Sequence, residues 1–434
     1  MRIAFTVLLA VIIFLFTGCE DDSHTHSPGP AATCEEPQKC KECGKVLKPK
    51  IMHDYVWVIS SFPNFESTNG EETGTCKNCL LINKRSITST SGLAYTIVDG
   101  ICSVSIGIAE ASEIVIPIEY KGTNPTGIII TKIANDGFHA EITKTGRAIT
   151  AVRFPDSLTV IDSKAFYGCA VLTDINIHDN ITSIGSEAFF NCPKLYEIII
   201  PDSVTFIGTS AFSGCTGLKS VIIGTGVNLI RDKTFSECRK LASIIIPGNV
   251  TSIGKSAFSG CISLVSVTIN AGVSSINDNA FEGCTVLTSV IIPDSVTSIG
   301  NGVFLNCTAL AGIVIPDSVT SIGYSAFNGC TALAGITISS NVTWIEDFTF
   351  SGCAALKEVT IPESVTNIGM NAFNGCTSLK SVTLLGDTPF KLGTGVFLDT
   401  SGDIEFFVPA NSVALYKADE NWIKWAEKIK AIVK

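Results

Sequence analysis

The chain has 434 residues, of which 46% are hydrophobic and only 16% charged, and its net charge is −10. That composition supplies ample core, and the acidic balance excludes nucleic acid as an electrostatic partner. Only five histidines are present, against 17 cysteines that fall in distinct groups along the chain.

The first residues read as an export signal. Met1 and Arg2 make a minimal basic start, and the run Ile3 to Phe16 is apolar. It is shorter than the roughly 20 residues that a membrane-spanning helix needs. It closes in "FTGC", which resembles a bacterial lipobox although Phe16 stands where leucine is usual. The resemblance implies a signal peptide over 1–18, lipidation of Cys19, and attachment to the membrane through that lipid. An ordinary signal peptide with an incidental Cys19 is the alternative. The "CEDD" that follows resembles a surface-export tag, which implies the outer membrane and cell surface of a bacterium. Residues 19–33 have linker composition and are expected to form a flexible tether.

Residues 34–91 form a cysteine-rich segment too short to be held by burial alone. Two CxxC pairs, Cys40 with Cys43 and Cys76 with Cys79, supply the four thiolates of one tetrahedral structural zinc. A second grouping takes Cys34, Cys40, Cys43 and His53 as a Cys₃His set. It resembles a small module found in tandem on bacterial surface proteins. Disulfides fit the same cysteines in an exported protein, so metal and disulfide both stand.

From residue 149 onward a 23-residue phrase repeats: L-x-x-[IV]-x-I-P-x-x-V-x-x-I-G-x-x-A-F-x-x-C. Leucine recurs from 172 to 379, phenylalanine from Phe166 to Phe373 and cysteine from Cys169 to Cys376, all in one register. L-x-x-I-x-I alternates as a short strand does, and Pro155, Pro201, Pro247, Pro293, Pro316 and Pro362 end it at a corner. I-G-x-x-A-F-x-x-C places apolar residues where a short helical or irregular return would carry them inward. One copy cannot bury its own apolar residues, whereas stacked copies can. The expected fold is an α/β solenoid with one short parallel strand per turn.

The unit resembles the BspA-like leucine-rich repeat of bacterial surface proteins, covering 147–402 here. The resemblance implies a surface-exposed, adhesin-like protein that binds fibronectin- or fibrinogen-like matrix proteins or other microbes. An envelope or periplasmic scaffold with no host ligand is the competing reading. Residues 92–146 read as a degenerate N-terminal cap, with Ile114, Ile116, Pro117 and Phe138 in repeat roles. Residues 403–434 read as the C-terminal cap, with a helix expected over 412–433 because Leu415, Trp422, Trp425, Ile429 and Ile432 fall at helical spacing.

On such a solenoid the outward strand positions make the binding face. They are Arg153, Asn176, Ile199, Ile222, Ile245, Thr268, Ile291, Val314, Thr337, Thr360 and Thr383. An exposed aliphatic stripe of this length marks a contact surface, unless it only reflects β-branched ladders stabilising parallel strands. Apart from Phe154, aligned with the core, these strand rows offer no aromatic residue. The ten repeat cysteines read as small buried thiols filling a tight corner. The corner aspartates Asp202, Asp294 and Asp317 read as Asx turns. No GxSxG, HExxH, Walker or dinucleotide motif is present, and the chain is not expected to be an enzyme.

Overall fold

The computed structural model describes residues 149–433 throughout, and 93–98, 101–105, 113–117, 119–120 and 128–138 before them. Within 1–92 it describes the strands Gln38–Lys39, Val46–Lys48, Tyr55–Ser61, Asn69–Cys76 and Ile82–Thr88. Two compact units divide the chain: 1–61 with 71–86, and 62–70 with 87–434. In the first, Gln38–Lys39 pairs antiparallel with Val46–Lys48, and Tyr55–Ser61 pairs antiparallel with Asn69–Cys76. Cys19, Cys34, Cys40, Cys43, His53 and Cys79 lie outside the described residues. Cys76 ends a described strand, but its side chain is not described.

The second unit is a right-through stack of 23-residue turns, and each turn carries two strands. The longer one is typified by Glu197–Ile200, Ser220–Ile223 and Ser243–Ile246. Successive copies pair in parallel and in register, Glu197 with Ser220 through to Ile200 with Ile223. Alternation is strict: Ile198 and Ile200 are buried while Ile199 points to water. The second strand, two residues long, follows the proline corner, as at Leu229–Ile230, Ser252–Ile253 and Ser275–Ile276. These also pair in parallel and in register.

Among the described residues the return path holds no helix; it is a chain of tight turns. Two residues in each copy sit in the left-handed region, for example Glu187 (φ 56°) and Asn191 (φ 53°). A right-handed helix cannot pass through such residues. Alternate amides are thereby free to reach the next turn: Lys164 N–H donates to Ser186 O at 2.9 Å and Phe166 N–H to Ala188 O at 2.7 Å. Each turn is thus joined to the next by main-chain bonds on three sides.

Within that frame lies a stack of phenylalanine rings running unbroken from Phe138 to Phe397, with centroids 5.2–5.7 Å apart. Aromatic stacking of this kind adds about 0.5–1.5 kcal/mol per pair beyond area burial.

The described N-terminal strands continue both ladders. Strand Glu113–Val115 pairs in parallel with Ala151–Arg153, Ile128–Ile133 with Val160–Ile161, and Ile114, Ile116 and Phe138 are fully buried. Cys102 is buried in the same layer, opposite Ile130 in the ladder.

The C-terminal cap departs from expectation. Its α-helix covers only Val413–Ala418, stopped by Asp419 in an extended conformation (φ −72°, ψ 137°). A 3₁₀ segment Ile423–Lys428 follows, then strand Ile429–Ala431, which extends the ladder beside Glu405–Val408. Leu415, placed on the buried side by helical spacing, is exposed, whereas Trp422 is fully buried.

Candidate protein-binding face

The alternation of the longer strand sends one residue per turn outward from the middle of the ladder. Ile199, Ile222, Ile245, Ile291 and Val314 stand in this row at 52–80% exposure. Thr268, Thr337 and Thr360 continue it, and Thr383 is half-buried. The row is therefore a water-facing aliphatic and threonine stripe.

Its N-terminal end is different. Asn176 is half-buried and clamps the backbone of Phe154, accepting from its N–H at 2.9 Å and donating to its carbonyl at 3.4 Å. Arg153 pairs with Asp174 at 2.5 Å. Both have bonds within the fold to break before they could serve a ligand.

Toward the C-terminal half the face deepens. Between Val290 and Leu385 it forms a groove of about 1150 Å³ whose lining includes Ile291, Val314, Thr337 and Thr360. Gly312 and Gly335 form its floor, in a row that elsewhere carries Ser220, Ser243, Ser266, Ser289 or Glu358. The two glycines were in plain view in the sequence as departures from a row of serines and acids.

The edges of the ladder are polar and cross-bonded. Asp202 Oδ1 accepts Thr225 N–H at 2.7 Å, and Asp317 Oδ1 accepts Ser340 N–H at 3.0 Å and its hydroxyl at 2.9 Å. Those bonds hold both carboxyls below their ordinary pKa. Asp202 and Asp317 thus reach across to the next turn and do not close Asx turns on their own segment. The local corner is closed by backbone, as in Val204 N–H to Pro201 O at 3.1 Å.

The short second strand presents another row to solvent, and here aromatic residues do occur. Phe206 and Trp344 are both exposed, and the Arg231 guanidinium lies 4.5 Å from the Phe206 ring. The threonines just before this strand form a ladder, Thr182 Oγ1 donating to Thr159 O and Thr320 Oγ1 to Thr297 O.

The repeat cysteines do more than fill a corner. Each thiol donates to the carbonyl of the phenylalanine in the preceding turn: Cys192 to Phe166, Cys215 to Phe189 and Cys261 to Phe235, at 3.1–3.2 Å. Burial pushes Cys215, Cys261, Cys330 and Cys376 up to about 12. A thiol so protonated is a poor nucleophile and a poor metal ligand.

His178 is held by backbone, with Nε2 2.9 Å from Pro155 O and Nδ1 accepting Asn180 N–H at 3.3 Å. Burial lowers its pKa. No group of three or more metal-binding side chains occurs among the described residues.

A parallel-strand solenoid with an apolar row on its ladder is the architecture of a leucine-rich repeat protein. The chain belongs to the BspA type leucine-rich repeat family, whose repeat region matches residues 144–261, 228–315 and 309–415. Among solved structures, it is similar to a leucine-rich repeat protein of Bacteroides ovatus ATCC 8483. The identity is 24%, covering 79% of this chain and 99% of that one, with a TM-score of 0.57. The pneumococcal vaccine antigen PcpA is similar at 20% identity, over 80% of this chain and 98% of that one, with a TM-score of 0.50. No curated protein sequence is significantly similar to the chain.

Proposed function

We propose that this protein is a non-enzymatic binding scaffold, displayed on a bacterial surface, that holds a protein partner against the strand face. The observation that carries it is the exposed aliphatic row, Ile199 at 55%, Ile245 at 62% and Ile291 at 80%. Such a row on a rigid ladder costs little to desolvate and gives many modest contacts at once, each aliphatic side chain contributing up to about 1.5–3 kcal/mol if fully covered. Matrix proteins such as fibronectin or fibrinogen, or another microbe, are the partners in this reading, by resemblance to the family. Lipid attachment through Cys19 and a metal- or disulfide-stapled segment over 34–91 complete it, raising the solenoid from the membrane. The pneumococcal relative is a vaccine antigen, which agrees with display at the surface.

The test is binding of the purified chain to immobilised fibronectin and fibrinogen, beside a variant with Ile199, Ile222 and Ile245 changed to serine. Saturable binding that the variant loses supports the reading. No binding by the parent removes the matrix partner. If protease treatment of intact cells then leaves the solenoid uncut, the reading passes to an envelope scaffold.

A further inference from the structure

The groove over turns 290–385 carries a feature shared by two consecutive turns, whose phrase CTALAGI is the same at 307–313 and 330–336. Gly312 and Gly335 interrupt a row of side-chain-bearing residues, and neither takes the left-handed φ that would require glycine. A Cβ placed on Gly335 meets no atom within 4 Å, and one on Gly312 meets only the Gly335 carbonyl at 3.9 Å. The backbone therefore accepts any residue at both positions, and what the glycines provide is the missing side chain. Between Ser289 and Glu358 the face lies bare over three strand intervals, about 14 Å. That is room for a ring laid flat on the backbone, with the row of Ile291, Val314, Thr337 and Thr360 along its downstream side.

Charge is arranged around this gap. Asp294 and Glu358 line the groove, and no lysine or arginine does. Asp317 and Glu363 continue the acidic corner downstream of the strands, Asp317 kept ionised by its two bonds from Ser340. Lys357 and Lys380 stand on the opposite, upstream edge, exposed. A partner's positive charge is thus favoured at the downstream corner and disfavoured upstream.

We propose that the gap above Gly312 and Gly335 receives a large apolar side chain of an extended segment of the partner, with lysine or arginine beside it to meet the Asp294–Asp317–Glu363 corner. The proposal rests on the strand face being a protein-binding surface and specifies which segment that surface selects.

Fluorescence anisotropy with the full chain tests it, using three labelled peptides of equal length on a glycine-serine spacer. One carries tryptophan flanked by lysines, the second tryptophan flanked by glutamates, the third the lysines with alanine for tryptophan. The lysine–tryptophan peptide is expected to bind at least tenfold tighter than either other. Gly335→Trp fills the gap from within and should weaken that binding at least tenfold. Ser243→Trp, in the same row but outside the groove, should leave it unchanged and shows that a tryptophan there is tolerated. Asp294→Asn with Glu363→Gln should weaken it at least threefold, and Lys357→Gln should not. Equal binding of the glutamate peptide, full affinity in Gly335→Trp, or no measurable binding of any peptide overturns the proposal. Matrix-protein binding that responds to the Ile199, Ile222 and Ile245 substitutions but not to Gly335→Trp would retain the scaffold and sink the groove alone. Peptide binding without matrix binding would retain the groove and remove the matrix partner alone.

Discussion

Replacing Phe258 with alanine probes the ring stack at its middle. The side chain is fully buried between Phe235 at 5.6 Å and Phe281 at 5.4 Å. Truncating a buried phenylalanine costs about 3–5 kcal/mol, and the two stacked contacts make up about 1–3 kcal/mol of that. The upper end applies here, because the flanking turns are pinned to one another by backbone bonds and cannot sink into the hole. Phe258→Leu, which keeps most of the volume, should lose under about 1.5 kcal/mol. The effect should also be more than local, since each turn is stabilised by its neighbours alone and a weak junction divides the array. Equilibrium urea unfolding of parent and variants, followed by circular dichroism, reads both quantities. Phe258→Ala should lower the transition and split it in two, one step for each half of the ladder. A single transition shifted no further than that of Phe258→Leu would refute the view that the ring stack couples the turns.

Gly254→Ala would put a Cβ 2.6 Å from the backbone carbon of Arg231, and a loss of about 3 kcal/mol or more is expected in the same assay. Lys233 sits at φ 54°, so Lys233→Gly should relieve about 1 kcal/mol and raise the melting temperature. Stability should fall as pH rises above 9, because the buried thiols of Cys215, Cys261, Cys330 and Cys376 keep their protons until about 12 while the unfolded chain releases them near 9. The stabilising contribution is complete below pH 9 and is lost between 9 and 12; a urea midpoint that stays flat from pH 8 to 11 would contradict it. At pH 8 these thiols should also resist a disulfide reagent until the chain unfolds.

The solenoid could be read from the period because every turn obeys the same demand: one copy cannot cover its own apolar residues. The return path could not be read in the same way. Ile184, Ala188, Phe189 and Cys192 have the spacing of a helix, yet they point inward because the chain bends around a core. Glu187 and Asn191, the residues that force the bend, are of types with no strong left-handed preference apart from asparagine. A second strand two residues long leaves almost no sequence signal, so the exposed row that includes Phe206 and Trp344 went unseen. Trp422 and Ile429 announced burial, but Asp419 breaks the helix on which their spacing was drawn. The aliphatic row was fully legible, since strand alternation decides it. The groove was not, because its depth comes from two missing side chains set beside each other by stacking.

The threonine, cysteine and corner-serine ladders lean the same way. Thr320 donates back to Thr297, Cys261 back to Phe235 and Ser203 back to Ile181, each supplying a proton to a carbonyl of the turn before it. A turn thus meets its predecessor with its own hydroxyls and thiol, while the predecessor's return-path amides donate the other way, as Lys164 N–H does to Ser186 O. Toward the C-terminal cap the onward-facing carbonyls are met by cap side chains instead. Tyr416 does so with its hydroxyl on Gly386 O and Thr388 O at 3.1 and 3.0 Å, and Trp422 with its indole N–H on Phe390 O at 3.0 Å. Whole turns can therefore be gained or lost from the middle with both ends intact, while an array cut short of Tyr416 and Trp422 is left with a row of acceptors open to whatever strand arrives next.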